Sequence, residues 1–270
     1  MNTSNLNPNQ ANFYLFKGYP NCGKSIAAHS FPNSFTFDFD KKIRVVKNYY
    51  PDRNFDYEQP SNIIETKKIL RELKSNCPFD TIIWDGITKS CDMSISSFIN
   101  YRNPSATKID PKTGKEVVNK MMPAGQSMPE IEDYKGELRF AMESMDDLLS
   151  ICVTNNVNVI VMAHVLRTFY QNAKDKSVVD TKALVSSGQK VGTMIPTLFG
   201  ERFHFGTKVE TNDYGVSNKK YICYVKDCIE ESTGTEEWAG NSMNLSDPID
   251  WTDKNFYDVL TKKINKDCSI

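Results

Sequence analysis

With 270 residues and a formal net charge of −1, the chain has room for one large α/β domain with at most a modest appendage. It carries too little positive charge to bind nucleic acid over its whole surface, so any such binding must be local. The seven cysteines (22, 77, 91, 152, 223, 228 and 268) form no C-x-x-C pair and no zinc spacing, which argues against a thiolate metal site.

Residues 1–11 are polar and Asn-rich, so they read as a flexible lead without a signal peptide, and the expected location is the cytoplasm. An apolar aromatic run, Phe13 to Phe16, then predicts a buried strand. It leads into Gly18-Tyr19-Pro20-Asn21-Cys22-Gly23-Lys24-Ser25, which fits G-x-x-x-x-G-K-[ST], the phosphate-binding loop. Gly18 and Gly23 permit backbone angles closed to other residues, so successive N–H groups can turn toward an anion. The helix that begins there, with Ile26 in its first turn, adds the positive end of its dipole. Lys24 is expected to reach the β- and γ-phosphates and the Ser25 hydroxyl to hold Mg²⁺. A nucleoside triphosphate is the implied ligand of Gly18 through Ile26.

Phe35-Thr36-Phe37-Asp38-Phe39-Asp40 alternates strictly, which predicts a strand with one aromatic face ending in carboxylates. Pro60 to Lys74 has helical spacing, with Asn62 and Glu65 as a capping box. Next, Phe79 to Thr88 reads as an apolar strand tipped by Asp85, a carboxylate suited to the Mg²⁺ shell beside a phosphate loop. Residues 102–130 form a long excursion with four lysines (108, 112, 115 and 120), and a helix returns from Glu137 to Cys152. Val159 to His164 is a further buried-type strand, expected beside the Asp85 strand, with His164 at its tip as a structural residue or a γ-phosphate sensor. Residues 167–192 read as a second long polar loop. Arg202 to Glu210 and Lys219 to Asp227 predict a strand pair turning at Asn212 to Gly215. The tail holds Trp238, Trp251 and a terminal amphipathic helix. The division follows: a lead over 1–11, a core over 12–210, and C-terminal strands and helix over 211–270.

Alternating strands and helices predict a mainly parallel sheet with helices on both faces, its ligand at the carboxyl ends where Lys24, Asp40, Asp85 and His164 fall. On the motifs GYPNCGKS, DTIIWDGIT and NVIVMAH, residues 12–210 resemble the RecA-like ATPase core, particularly small phage-encoded relatives of the AAA or single-strand annealing kind. The resemblance implies an Mg²⁺-dependent ATPase in which Asp40 takes the place of the family's water-activating Glu and His164 that of a Gln. Both are departures from the family pattern. It also implies that the lysine-bearing segments 102–130 and 167–192 face single-stranded DNA, although such segments also serve as ordinary solubilising surface. Sites of this kind are often completed by a basic residue from a neighbouring subunit, for which Lys226 and then Arg202 are the candidates, a surface charge pair being the other reading of each. If a residue in trans is required, the active form is a ring or filament. Two other readings stay open: a P-loop kinase of a nucleoside or small metabolite, and a slow nucleotide-gated loader or assembly module.

Overall fold

The computed structural model describes residues 11–102, 107–109, 116–118, 129–171, 178–184, 189–211, 214–215, 217–230, 235–237, 239–246 and 248–267. The lead over 1–10, Lys112, Lys115, Lys120, Lys174, Lys176, Asn212, Asp213, Trp238 and Cys268 lie outside them.

Strand β1 (Phe13–Gly18) runs into the phosphate loop and helix α1 (Lys24–Ala28). Then come β2 (Ser34–Asp38), α2 (Ile43–Tyr49), β3 (Asp56–Glu58), α3 (Ile63–Ser75), β4 (Thr81–Asp85) and α4 (Ile87–Arg102). A two-stranded ribbon, β5 (Thr107–Ile109) and β6 (Glu116–Val118), precedes the 25-residue helix α5 (Ile131–Asn155). The chain continues through β7 (Asn158–Gln171), β8 (Val178–Leu184), α6 (Gln189–Met194), β9 (Glu201–Thr211) and β10 (Ser217–Tyr224). It closes with a small ribbon of β11 (Cys228–Glu230) and β12 (Thr235–Glu237), then β13 (Ile249–Asp250) and α7 (Phe256–Asp267).

The main sheet has the order β13-β10-β9-β1-β7-β4-β2-β3, with β8 paired to β7. From β3 across to β9 the neighbours are parallel; β10 and β13 extend the sheet by antiparallel pairing. This is the expected α/β class, a mainly parallel sheet extended by C-terminal antiparallel strands. Because every strand from β2 to β9 is internal, β1, β2 and β4 are buried on both faces. Phe13, Leu15, Phe35, Phe37, Trp84 and Val161 pack against α3, α4 and α5 on one face. Tyr14, Phe16, Ile83, Ile160, Phe203 and Phe205 pack against α1, Trp251 and α7 on the other. Each such large side chain, once fully buried, stabilises the fold by roughly 1.5–3 kcal/mol. Helix ends are satisfied locally: Glu130 and Asp133 form a capping box on α5, and Asn156 closes it at φ 54°. The Asn156 side chain also accepts from Ala11 N at 2.9 Å, fixing where the chain enters β1.

Four expectations need correction. First, β2 ends at Asp38, and Asp40 lies two residues beyond it in a turn. The Asp38 carboxylate accepts from Lys42 N (2.8 Å), Ile43 N (3.2 Å) and Gln59 Nε2 (2.7 Å), so it starts α2 and stops the strand. Second, His164 does not end its strand. β7 runs seven residues further, to Gln171, and pairs with β8, so part of the supposed loop 167–192 is a hairpin followed by α6. Third, the segment 102–130 contains the β5–β6 ribbon. Fourth, Asn62 accepts from Glu65 N, but the Glu65 carboxylate bonds Ser61 N and Oγ, so the reciprocal half of the box is one residue early. Among the described residues no helix is long and apolar enough to cross a membrane.

Candidate active site

The phosphate loop is shaped by what lies under and over it. At Gly18, φ is +152°, and a Cβ would stand 2.2 Å from the Phe205 carbonyl oxygen and 2.9 Å from Cys22 Sγ. Gly18 ends β1 in register with Phe205 of the parallel neighbour β9, at a backbone contact distance that only glycine allows. Asn21 adopts φ 63°, and Gly23, the residue before α1, adopts φ 88°. A Cβ on Gly23 would enter the Trp251 ring at 2.7 Å. No side chain caps α1, and the orphan N–H groups of such a start favour an anion.

Lys24 is buried and folds back on the loop. Its ammonium donates to the Gly18 carbonyl (2.9 Å) and the Tyr19 carbonyl (2.8 Å), and lies 3.5 Å from Cys22 Sγ and 3.4 Å from His164 Nδ1. Because an ammonium only donates, His164 meets it as a neutral acceptor. Burial and then the Lys24 charge push the His164 imidazole down to about 4, so it is uncharged at neutral pH. His164 is opposite Gly18 in the β1–β7 register, which is how a residue distant in sequence reaches the loop.

Across the cleft, Asp85 ends β4 and is 8% exposed. Burial, with Asp40 and Asp38 nearby, pushes its carboxyl up to about 7, against the opposing pull of Lys24 and Lys42. Asp40 accepts from Lys42 Nζ at 2.9 Å, and Lys42 is raised mainly by that bond. His29 anchors the loop helix from behind. It is fully buried, donates from Nδ1 to the Ser25 carbonyl at 2.7 Å, and meets Thr36 Oγ1 through Nε2 at 3.0 Å. Burial holds its imidazole down at about 4.

A cleft of about 520 Å³ connects these groups, a size ordinary for small-molecule sites. Pro20, Asn21, Cys22, Gly23, Lys24, Ser25 and Ile26 line it together with Asp40, Lys42, Asp85 and His164. Gly18 and Tyr19 lie just behind, their carbonyls turned to Lys24. Lys226 and Arg202 do not line the cleft of their own chain: Lys226 is exposed in the turn after β10, and Arg202 sits within β9 beside Gly240. Among the lining residues that sequence reasoning missed, besides Lys42 after β2, are Lys219 and Tyr221 on β10, with the Trp251 ring behind them. Their alternation on a strand was visible, but their arrival over the loop depends on β10 pairing with β9, which local sequence does not encode. Among the described residues no three His, Cys, Asp or Glu side chains form a self-contained metal site.

Fold and loop together define the class, an α/β domain with a strand, a glycine-bounded phosphate-type loop and a helix at the carboxyl edge of its sheet. No protein-family model matches the sequence, and no curated protein matches it. Among solved structures the chain is similar to the crystal structure of the RadB recombinase, at 13% identity and a TM-score of 0.37 over 80% of this chain and 81% of that one. A likeness that distant carries no argument about what the cleft does.

Proposed function

We propose that this chain binds ATP with Mg²⁺ and hydrolyses it, in the manner of RecA-like proteins that act on single-stranded DNA in phage-type recombination, annealing or replication. The observation that carries the reading is the meeting of Lys24, Ser25, Asp40, Asp85 and His164 in one cleft at the carboxyl edge of the sheet. The residues suit a triphosphate. A loop that excludes side chains at Gly18 and Gly23 offers backbone N–H groups, and the Lys24 donors now on two carbonyls are free to exchange onto phosphate oxygens.

They also suit a hard divalent cation. Asp85 is a carboxylate destabilised as an anion first by burial and then by Asp40 and Asp38, and a nearby cation would relieve that. Ser25 and Asp85 are the residues that would hold Mg²⁺, which supplies charge neutralisation at the transferring phosphoryl group. Asp40, tethered by Lys42, orients or deprotonates the attacking water. The neutral His164 ring accepts from Lys24 and fixes the ammonium at the strand edge. Positioning and electrostatics of this kind supply most of the rate in phosphoryl transfer.

Support for a DNA partner comes from β7. Beyond His164 it leaves the main sheet at the carboxyl edge, and with β8 forms a ribbon whose register sets Arg167 opposite Lys182. A strand that carries a cleft residue and then a ribbon with Arg167 and Lys182 at paired positions, Asp180 being opposite Phe169, is suited to couple nucleotide state to a polyanion. The test is ATP turnover by the purified chain without DNA, with single-stranded DNA and with duplex DNA, at low and moderate salt. Stimulation by single strands that fades with salt is expected, because backbone contacts release counterions. Slow turnover indifferent to both DNAs would favour a metabolite kinase or a nucleotide-gated assembly module instead.

A further inference from the structure

We infer that Lys219, on the antiparallel strand β10 of the same chain, is a second phosphate cation of the nucleotide site, acting in cis on the end of the triphosphate that lies against Asn21. This rests on the nucleotide reading above and adds a residue that the loop motif does not contain. Lys219 lines the cleft, and its ammonium donates to the Asn21 carbonyl at 3.1 Å, where the loop adopts φ 63°. It stands 5.2 Å over the centroid of Tyr221, two residues along the strand. Tyr221 is in turn fixed: its N–H donates to Thr252 Oγ1 at 2.9 Å, its carbonyl accepts from Trp251 N at 3.2 Å, and its ring packs on Trp251. Trp251 is the ring that closes over Gly23. The lysine stem is thus carried on an aromatic stack seated on the phosphate loop itself.

The neighbouring lysine shows that this placement is particular to Lys219. Strand alternation sends Lys220 to the other face, where Glu210 lies 2.7 Å and Asp250 3.9 Å from its ammonium. Lys219 forms no ion pair with any described carboxylate, and its contacts are a neutral carbonyl and a ring face. A carbonyl holds an ammonium far more weakly than a phosphate oxygen does. Lys219 is therefore poised to move from Asn21 to an incoming anion, while Lys220 is already neutralised. A basic residue borrowed from a neighbouring subunit is then not required at this position.

The experiment measures binding of ADP and of a non-hydrolysable ATP analogue, each with Mg²⁺, to the full chain and to Lys219→Ala, Lys219→Arg and Lys220→Ala. Lys219→Ala should weaken the triphosphate analogue about tenfold or more while changing ADP less than about threefold. Lys219→Arg should recover most of the loss, and Lys220→Ala should bind both ligands as the parent does. Equal loss for both ligands would mean that Lys219 only braces the loop at Asn21, and would overturn the inference; so would no loss for either. A second readout tests the cis placement. Mixing Lys219→Ala chains with Lys24→Ala chains should restore no ATP turnover, whereas recovery on mixing would place the lysine in a neighbour's site. If the parent chain binds neither ligand, the nucleotide reading fails and this inference falls with it. If the parent binds both and Lys24→Ala neither, a normal Lys219→Ala variant sinks this inference alone.

Discussion

Replacing His29 tests the link between the sheet core and the phosphate loop. The ring joins Ser25 in the loop helix to Thr36 in β2 and is neutral because it is buried. Desolvation dominates and lowers its pKa, against the Ser25 carbonyl and Asp38, which draw it up, with Arg53 drawing it down. Its value falls from an ordinary 6.5 to about 4 in the folded chain. Above pH 6.5 the ring is neutral in both states and has no pH-dependent effect. Between pH 6.5 and about 4 only the unfolded chain takes up the proton, so stability falls with pH over that window and levels off below it. At about 1.4 kcal/mol per pKa unit, the loss through this one residue is roughly 3 kcal/mol. The assay is urea unfolding of the parent and His29→Gln at several pH values from 7.5 to about 4, Gln being neutral throughout. Carboxylates shared by both chains cancel in the difference. The stability gap between parent and variant should shrink by roughly 3 kcal/mol from the top of that range to the bottom. A gap independent of pH would refute the buried neutral imidazole and the anchoring role built on it.

Gly18→Ala should be badly tolerated, because its Cβ meets a backbone oxygen of β9 at 2.2 Å and neither partner is a flexible side chain end. A loss of about 3 kcal/mol or more in denaturant unfolding, or outright failure to fold, is expected; an unchanged midpoint would contradict the close approach of Gly18 to the β9 backbone. The two carboxylates near the end of β2 should separate cleanly. Asp38→Asn should lower stability by about 1–3 kcal/mol, since three donors converge on that carboxylate. Asp40→Asn should leave ATP binding within about threefold and fold stability nearly unchanged, but lower turnover at least a hundredfold. Normal turnover there would remove Asp40 as the water-activating group.

The parts of the site legible in the sequence are those written in contiguous residues. The loop octet and the Asp85 strand carry their chemistry and their local structure in the same few positions, so a strand, turn and helix could be placed around each. The sheet class followed from the alternation of apolar strands with helical spacing. What stayed hidden depends on pairings between distant segments. His164 looked like a strand tip because a polar residue follows an apolar run, yet β7 continues since β8 satisfies its backbone beyond the main sheet. Asp38 and Asp40 are alike on paper; the N–H groups of Lys42 and Ile43 and the Gln59 amide capture the first and leave the second at the cleft. Lys219, Tyr221 and Trp251 reach the loop only because β10 and β13 add to the same sheet edge as β9.

Binding of a nucleoside triphosphate in this cleft through Lys24 is directly measurable. Titration calorimetry of ATP with Mg²⁺ into the parent chain and into Lys24→Ala, both checked for equal thermal stability, measures that. Saturable binding by the parent, weakened at least a hundredfold in the variant, is the predicted result. Undiminished binding by Lys24→Ala, or none by the parent, would contradict it.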